Sequence, residues 1–261
     1  MKKSFLALPR PVVACILAET SVNAAVAAVR NGEFDGAHAF AIHLEPLCAE
    51  KLTDKDFSRI ATATQRPFMF LHYRKWKDDR IIMSDEDRTE LLLRTIKCGA
   101  TAVDFTADTF DPSPLEFSAR PAAVDRQKRL IDRAHALGGE VVLSSHVNEP
   151  RTCEQVLEQL TAIAARGADI VKIVTKANTD EEFAEAVKTT LALRRTLKVP
   201  FIHLVSGTYA LPHRYLSPML GNAITFCVHA YSEQFITVQP PVRNMVNILN
   251  NAAWNITLTE D

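Results

Sequence analysis

Short apolar runs alternate with longer amphipathic stretches along the whole chain. The runs fall at residues 12–17, 39–44, 67–72, 102–106, 140–145, 169–175, 200–205 and 223–228. They are brief, often β-branched, and mostly continuous rather than alternating, as strands buried on both faces of a parallel sheet are. The stretches between them read as helices. Residues 179–197 carry Phe183, Val187, Leu191 and Leu193 at helical spacing behind a Thr-Asp-Glu-Glu opening, a capping box in form. Residues 152–166 repeat the pattern with Val156, Leu160 and Ile163 and stop at Gly167. Residues 85–97 and 121–137, each followed by glycine within two residues, do the same. Pro240-Pro241 then starts a last helix through Val242, Met245, Val246 and Leu249.

Eight strand-like runs, with a helical stretch clear after all but the seventh, predict a single (β/α)8 TIM barrel domain over residues 1–261. No linker rich in Pro, Gly or Ser divides the chain. A doubly wound open sheet is the competing architecture, but no GxGxxG follows the first run and the chain has only eight glycines. A dinucleotide or P-loop site is therefore not expected.

Composition narrows the function. The 261 residues are 47% hydrophobic and 23% charged, which argues against disorder. The formal net charge of −1 gives no long-range field for nucleic acid or an anionic membrane. No apolar run reaches the ~18 residues of a membrane span, and Pro9, Arg10 and Pro11 interrupt any signal-peptide core. The five cysteines, Cys15, Cys48, Cys98, Cys153 and Cys227, form no CxxC pair. Reduced thiols in a cytoplasmic protein are expected.

In such a barrel the chemistry lies at the C-terminal ends of the strands. His43 and Glu45 end the second run, His72, Tyr73 and Arg74 the third, Asp104, Thr106 and Asp108 the fourth, and His146 the fifth. Lys172 stands in the middle of the sixth, with Lys176 nearer the loop, and His203 lies in the seventh, with Arg214 beyond. A buried ammonium is costly unless paired or neutral, and a neutral amine is what attacks a carbonyl to form a Schiff base. A lysine that snorkels out, or is paired to a carboxylate, would fit the same pattern. His146 closes the preceding strand and is expected next to Lys172 on the barrel floor, where it could move protons.

The stretch Val141–His146, the segment Glu149-Pro150-Arg151-Thr152, and the run Gly167-Ala168-Asp169-Ile170-Val171-Lys172-Ile173 resemble type I 3-dehydroquinate dehydratase. Ser206-Gly207 to His213-Arg214 is similar to that family's loop ending in Ser-Arg, and Ala223-Ile224-Thr225-Phe226 with Ser232 to its last strand and serine-bearing substrate loop. The resemblance implies a dimeric barrel lyase of the shikimate or quinate pathway, without metal or cofactor. Lys172 would form an imine with the ketone of an anionic oxo-acid, 3-dehydroquinate. His146 would take the proton beside the imine and then protonate the departing hydroxyl. Arg214 would hold the substrate carboxylate, and Ser232 with Gln234 or Gln239 would cover it. Positions aligned with the family's other substrate contacts are His43, Tyr73 and Cys15.

The departures are substantial. The family's Glu-x-Arg-x-Asp becomes Ala41-Ile42-His43-Leu44-Glu45, its strand-three arginine becomes Tyr73 with Arg74 one place off, and its Glu-Gly-Gly falls around Lys77-Asp78-Asp79. The carboxylate that would orient the histidine falls on Thr106, with Asp104 and Asp108 close by, and a serine after strand one becomes Cys15. Three other readings stay open. A Schiff-base lyase or aldolase on a different oxo-acid would keep Lys172 and His146. A metal-dependent barrel enzyme would draw on His43, Glu45, His72, Asp104, His146 and His203, though no HxH or HExxH pattern occurs. A barrel without catalysis, serving in binding or regulation, would fit the missing strand-four carboxylate. The charges at Arg126-Gln127-Lys128-Arg129 and Arg194-Arg195 read as solvated helix faces, and Trp76 and Phe117 as loop aromatics.

Overall fold

The computed structural model describes residues 3–48, 51–76, 83–233 and 238–252. Eight strands and eight helices alternate. The strands are β1 (Val12–Leu17), β2 (Ala39–His43), β3 (Phe68–Leu71), β4 (Ala102–Thr106), β5 (Glu140–His146), β6 (Ile170–Lys176), β7 (Phe201–Ser206) and β8 (Ile224–Cys227). The helices are α1 (Val22–Phe34), α2 (Asp54–Ala61), α3 (Asp85–Lys97), α4 (Pro121–Ala136), α5 (Cys153–Ala164), α6 (Asp180–Thr196), α7 (Ala210–Leu216) and α8 (Val242–Asn251). All strand pairs are parallel, in the order β7-β6-β5-β4-β3-β2-β1-β8. This is the expected TIM barrel. The sheet closes between β7 and β8 by the Ala223 amide donating to Phe201 O (2.8 Å), and by Asn222 Oδ1 accepting from the His203 amide (2.7 Å).

Local chemistry explains the element ends. Thr53, Thr152 and Thr179 each close a capping box at the start of α2, α5 and α6. Gly167, with φ +97°, takes the left-handed conformation that stops the turn after α5. The seventh unit, unclear in the sequence, has the short helix α7 of seven residues.

Two apolar layers follow from the two-residue period of the strands. One set, including Ala14, Ile16, Ala41, Met69, Leu71, Val142, Ile170, Ile202, Leu204 and Phe226, fills the lumen. The other set, including Val13, Cys15, Phe40, Phe68, Phe70, Leu143, Val171, Ile173 and Cys227, packs outward against the helices. Phe5, 2% exposed, belongs to the lumen set, and its amide donates to Glu140 Oε2 (2.9 Å). On the outer side α1 comes very close at Gly32. A Cβ there would lie 2.8 Å from Cys15 Sγ and 2.9 Å from Phe40, so Gly32→Ala would push the helix off the sheet. Among the described residues no helix is long and apolar enough to cross a membrane.

Candidate active site

Lys172 lies on the lumen face of β6, in phase with Ile170 and Val174, and is 4% exposed. A charge so placed needs partners, and three surround it. Its Nζ donates to the Tyr73 hydroxyl at 2.7 Å and to Asp104 Oδ2 at 3.1 Å, and stands 5.5 Å from the centre of the Phe226 ring. Tyr73 donates in turn to Asp104 Oδ2 (3.0 Å), and Ser144 Oγ donates to Asp104 Oδ1 (2.5 Å). The fully buried Asp104 thus collects three donors. Burial, and then Asp104 beside it, drive the Tyr73 phenol well above its ordinary range, so the hydroxyl keeps its proton.

His146 stands one lumen layer higher. Its register partner on β6 is Val174, whereas Lys172 is opposite Ser144, so the two stand diagonally across adjacent strands, offset by two residues on the same face. They meet through Tyr73, whose ring packs edge-on against His146 at 4.7 Å between centroids. The partner of His146 comes from the loop between β4 and α4. Glu116 Oε2 accepts from the His146 amide (2.9 Å) and bonds its Nδ1 (2.7 Å). Burial pushes the Glu116 carboxyl upward, but His146 outweighs this and holds it below the ordinary carboxylate range. An ionised carboxylate only accepts, so Nδ1 carries the proton and Nε2 is left as the base.

That loop is anchored at several points. Glu116 itself sits at φ 44°, a left-handed conformation uncommon for a side-chain-bearing residue. The Leu115 carbonyl accepts from Ser145 Oγ (2.6 Å), and Gln127 donates to the carbonyls of Ala107 and Thr109 (3.1 and 2.8 Å). Arg166 donates to the carbonyls of Ala107 and Ser118 (both 2.7 Å), with its guanidinium over the Phe117 ring. Gln127, read from sequence as part of a solvated face, is therefore buried. A cleft of about 620 Å³ opens beside Tyr73 and His146, lined by Tyr73, Arg74, Lys75, Pro112, Ser113, Pro114, Glu116, His146 and Asn148.

The other sequence-designated residues are placed as follows. His43, on the lumen side of β2, packs against Tyr73 (5.5 Å) and Trp76 (4.6 Å) and lies 3.4 Å from Glu45. Glu45 accepts from the Tyr73 amide (2.6 Å). Arg74 is committed to two carboxylates, Asp85 (2.9 Å) and Asp108 (3.0 Å). Arg214, on α7, is 6% exposed and beside Cys227, with no ion pair among the described residues and its Nε buried without a partner. Burial pushes its pKa down to about 10, so it remains a cation at neutral pH. Ser232 is exposed, and Gln234 lies outside the described residues. Cys15 is not at the site, since its side chain faces α1 at Gly32 on the outer layer. His203 also faces outward, bonding Thr190 Oγ1 (2.9 Å), with the His213 ring 5.0 Å away. The residues of the metal-enzyme reading are thereby scattered, and no three His, Cys, Asp or Glu side chains among the described residues converge as a metal set.

A model of the family type I 3-dehydroquinase matches residues 13–253. The chain belongs to that family. A curated 3-dehydroquinate dehydratase of Alkaliphilus oremlandii is 32% identical over 104 residues, which is 39% of this chain and 41% of that relative. Among solved structures, 3-dehydroquinate dehydratase from Geobacillus kaustophilus superposes with a TM-score of 0.77 at 16% identity, covering 93% of this chain and 92% of the other. The type I enzyme from Clostridium difficile, with covalently modified comenic acid, gives a TM-score of 0.73 at 15% identity, over 93% and 92%. Glu116 was not visible in the sequence, because its pairing with His146 depends on how the fourteen-residue loop 107–120 between β4 and α4 folds back.

Proposed function

We propose that this chain dehydrates 3-dehydroquinate to 3-dehydroshikimate through an imine on Lys172. The observation that carries the reading is the grouping of Lys172, Tyr73 and Asp104, with Tyr73 reaching a cleft that His146 and Glu116 also line.

In this mechanism the Lys172 amine attacks the substrate ketone and water leaves, giving a protonated imine. The imine withdraws electrons from the adjacent C–H bond, and His146 Nε2 takes that proton. Glu116 stabilises the imidazolium so formed and fixes its orientation. His146 then returns the proton to the departing hydroxyl, and hydrolysis of the imine frees Lys172. Arg214 would take the substrate carboxylate, as the family resemblance implies; it has no ion pair among the described residues and a planar fork of donors suited to that group, and it would have to be reached from the cleft, whose lining it does not join. Arg74 is unsuited to the role, being neutralised by Asp85 and Asp108. His43 and Tyr73 would line the substrate's other side.

Borohydride reduction in the presence of 3-dehydroquinate tests the reading. The expected result is a covalent adduct on the peptide containing Lys172, formation of product without borohydride, and loss of both in Lys172→Ala. A protein that neither traps nor dehydrates 3-dehydroquinate would discard it. Trapping of a different oxo-acid in a panel would then favour the aldolase-like alternative.

A further inference from the structure

The Tyr73 hydroxyl occupies an unusual position, for it touches the reacting nitrogen. Nζ of Lys172 is 2.7 Å from it, nearer than the carboxylate of Asp104, and the hydroxyl's own proton is directed at that carboxylate. Tyr73 is also held from behind. Its amide donates to Glu45, and its ring is wedged between His43 and His146. A residue serving only to fill space would not require these restraints on a partly exposed aromatic.

We propose that Tyr73 is a catalytic residue that relays protons between Lys172 and Asp104 as the imine forms and breaks. The step rests on the imine chemistry proposed above. The ammonium of Lys172 cannot attack until it loses a proton. That proton passes from Nζ to the Tyr73 oxygen while the phenol proton passes to Asp104, leaving amine, phenol and neutral acid. The nitrogen lone pair then bonds the carbonyl carbon, and the carbonyl π pair moves to oxygen. Tyr73 gives its proton to that oxygen as it takes one from the nitrogen. Finally Asp104 returns its proton through Tyr73 to the carbinolamine hydroxyl. The C–O bond breaks, water leaves, and the nitrogen lone pair closes the C=N bond. One ammonium and one ketone have become one iminium and one water, with Asp104 ionised as at the start.

The test separates this proposal from the identity of the substrate by using formaldehyde with cyanoborohydride, which methylates any lysine able to form an imine. Labelling of Lys172 in Tyr73→Phe is expected to be about 100-fold slower than in the unaltered protein, the lower bound for a positioned proton-transfer group. Lys176, at the outer end of the same strand and outside the relay, serves as the reference in each digest and is expected to label at an unchanged rate. The solvent deuterium isotope effect on Lys172 labelling should also shrink in the variant, which a purely structural role would not cause. Asp104→Asn, which preserves shape, should slow Lys172 in the same way should the tyrosine variant fold poorly. Equal Lys172 labelling in variant and unaltered protein overturns the relay. Failure of 3-dehydroquinate to be trapped, with the formaldehyde result intact, overturns the substrate and leaves the relay standing.

Discussion

Two groups of buried ionisable side chains sit at similar heights on this barrel and serve opposite ends. At β3 to β6, Tyr73, Asp104, His146 and Lys172 project into the lumen, where each touches another group that can give or take a proton. At β7 and the helices behind it, His203 and His213 project away from the lumen and bond Thr190, and His203 also bonds Thr175. Both groups contain a strand-end histidine, and in the sequence the two look alike. The difference is parity. His146 is in step with Val142 and Ser144 on the lumen side, whereas His203 falls between the lumen residues Ile202 and Leu204. One position along a strand decides whether a histidine faces the lumen or a helix.

The most severe way to break this contrast is to remove Lys172. Lys172→Ala should abolish dehydration and adduct formation. It should also destabilise the fold by about 3–5 kcal/mol, because Asp104 is left buried without its counter-ion. Thermal unfolding beside the activity assay separates the two effects, and Lys172→Ala with Asp104→Asn should recover most of the stability but none of the turnover.

Histidine replacement probes the parity argument itself. His146→Gln should lower kcat by roughly 10²–10⁴-fold, as loss of a general base does, while borohydride trapping persists and stability hardly moves. His203→Gln should do the reverse, costing about 1–3 kcal/mol for broken buried hydrogen bonds with kcat within a few-fold of the unaltered protein. Equal kinetic damage from both would remove the distinction between the two regions. A smaller effect is expected at Glu116. Replacing its charged hydrogen bond (about 1.5–3 kcal/mol) by a neutral one (about 0.5–1.5 kcal/mol) in Glu116→Gln forfeits about 1–1.5 kcal/mol. At 1.4 kcal/mol per tenfold that is about 5–12-fold in kcat, with KM little changed.

The sequence made the barrel readable because each level of the signal agreed. Runs 12–17 and 102–106 are strands with those same bounds, as 85–97 is a helix with the same bounds. The capping boxes at Thr152 and Thr179 start the helices expected of them. Lys172 stood out because a charge inside an apolar run is conspicuous whichever way it points. Cys15, expected among the substrate contacts, faces outward instead, since a strand apolar on both faces hides which residues point inward. The pairing of Glu116 with His146, and of Asp104 with Lys172, depended on loop closure and on barrel stagger, and neither leaves a periodic trace.

The gentlest test lies in the outer histidines and is read through pH. Burial lowers His213 to about 4 and holds His203 well below its ordinary range, with the neighbouring Arg214 lowering His213 and the neighbouring His213 lowering His203 in addition. A histidine whose folded pKa is depressed binds its proton first in the unfolded chain. Above the ordinary value of ~6.5 both states are neutral and its contribution to stability is complete. As pH falls below ~6.5 the unfolded state gains protons that the folded state refuses, so stability declines until the folded value is reached. Urea unfolding between pH 7.5 and pH 4 should therefore show a loss that begins near ~6.5, well before the carboxylates titrate. In His203→Gln that early limb should be shallower, because one of the three histidines held below their ordinary range, His38, His203 and His213, is gone. The lumen pair gives a different signature. Glu116, depressed below the ordinary ~4.3, keeps its contribution above that value and loses it only in stronger acid as its own pKa is crossed. Glu116→Gln should accordingly leave the early limb untouched and alter only the acid end of the curve. An early limb abolished by Glu116→Gln, or unmoved by His203→Gln, would assign the acid sensitivity to the lumen and reverse the division drawn between the two regions.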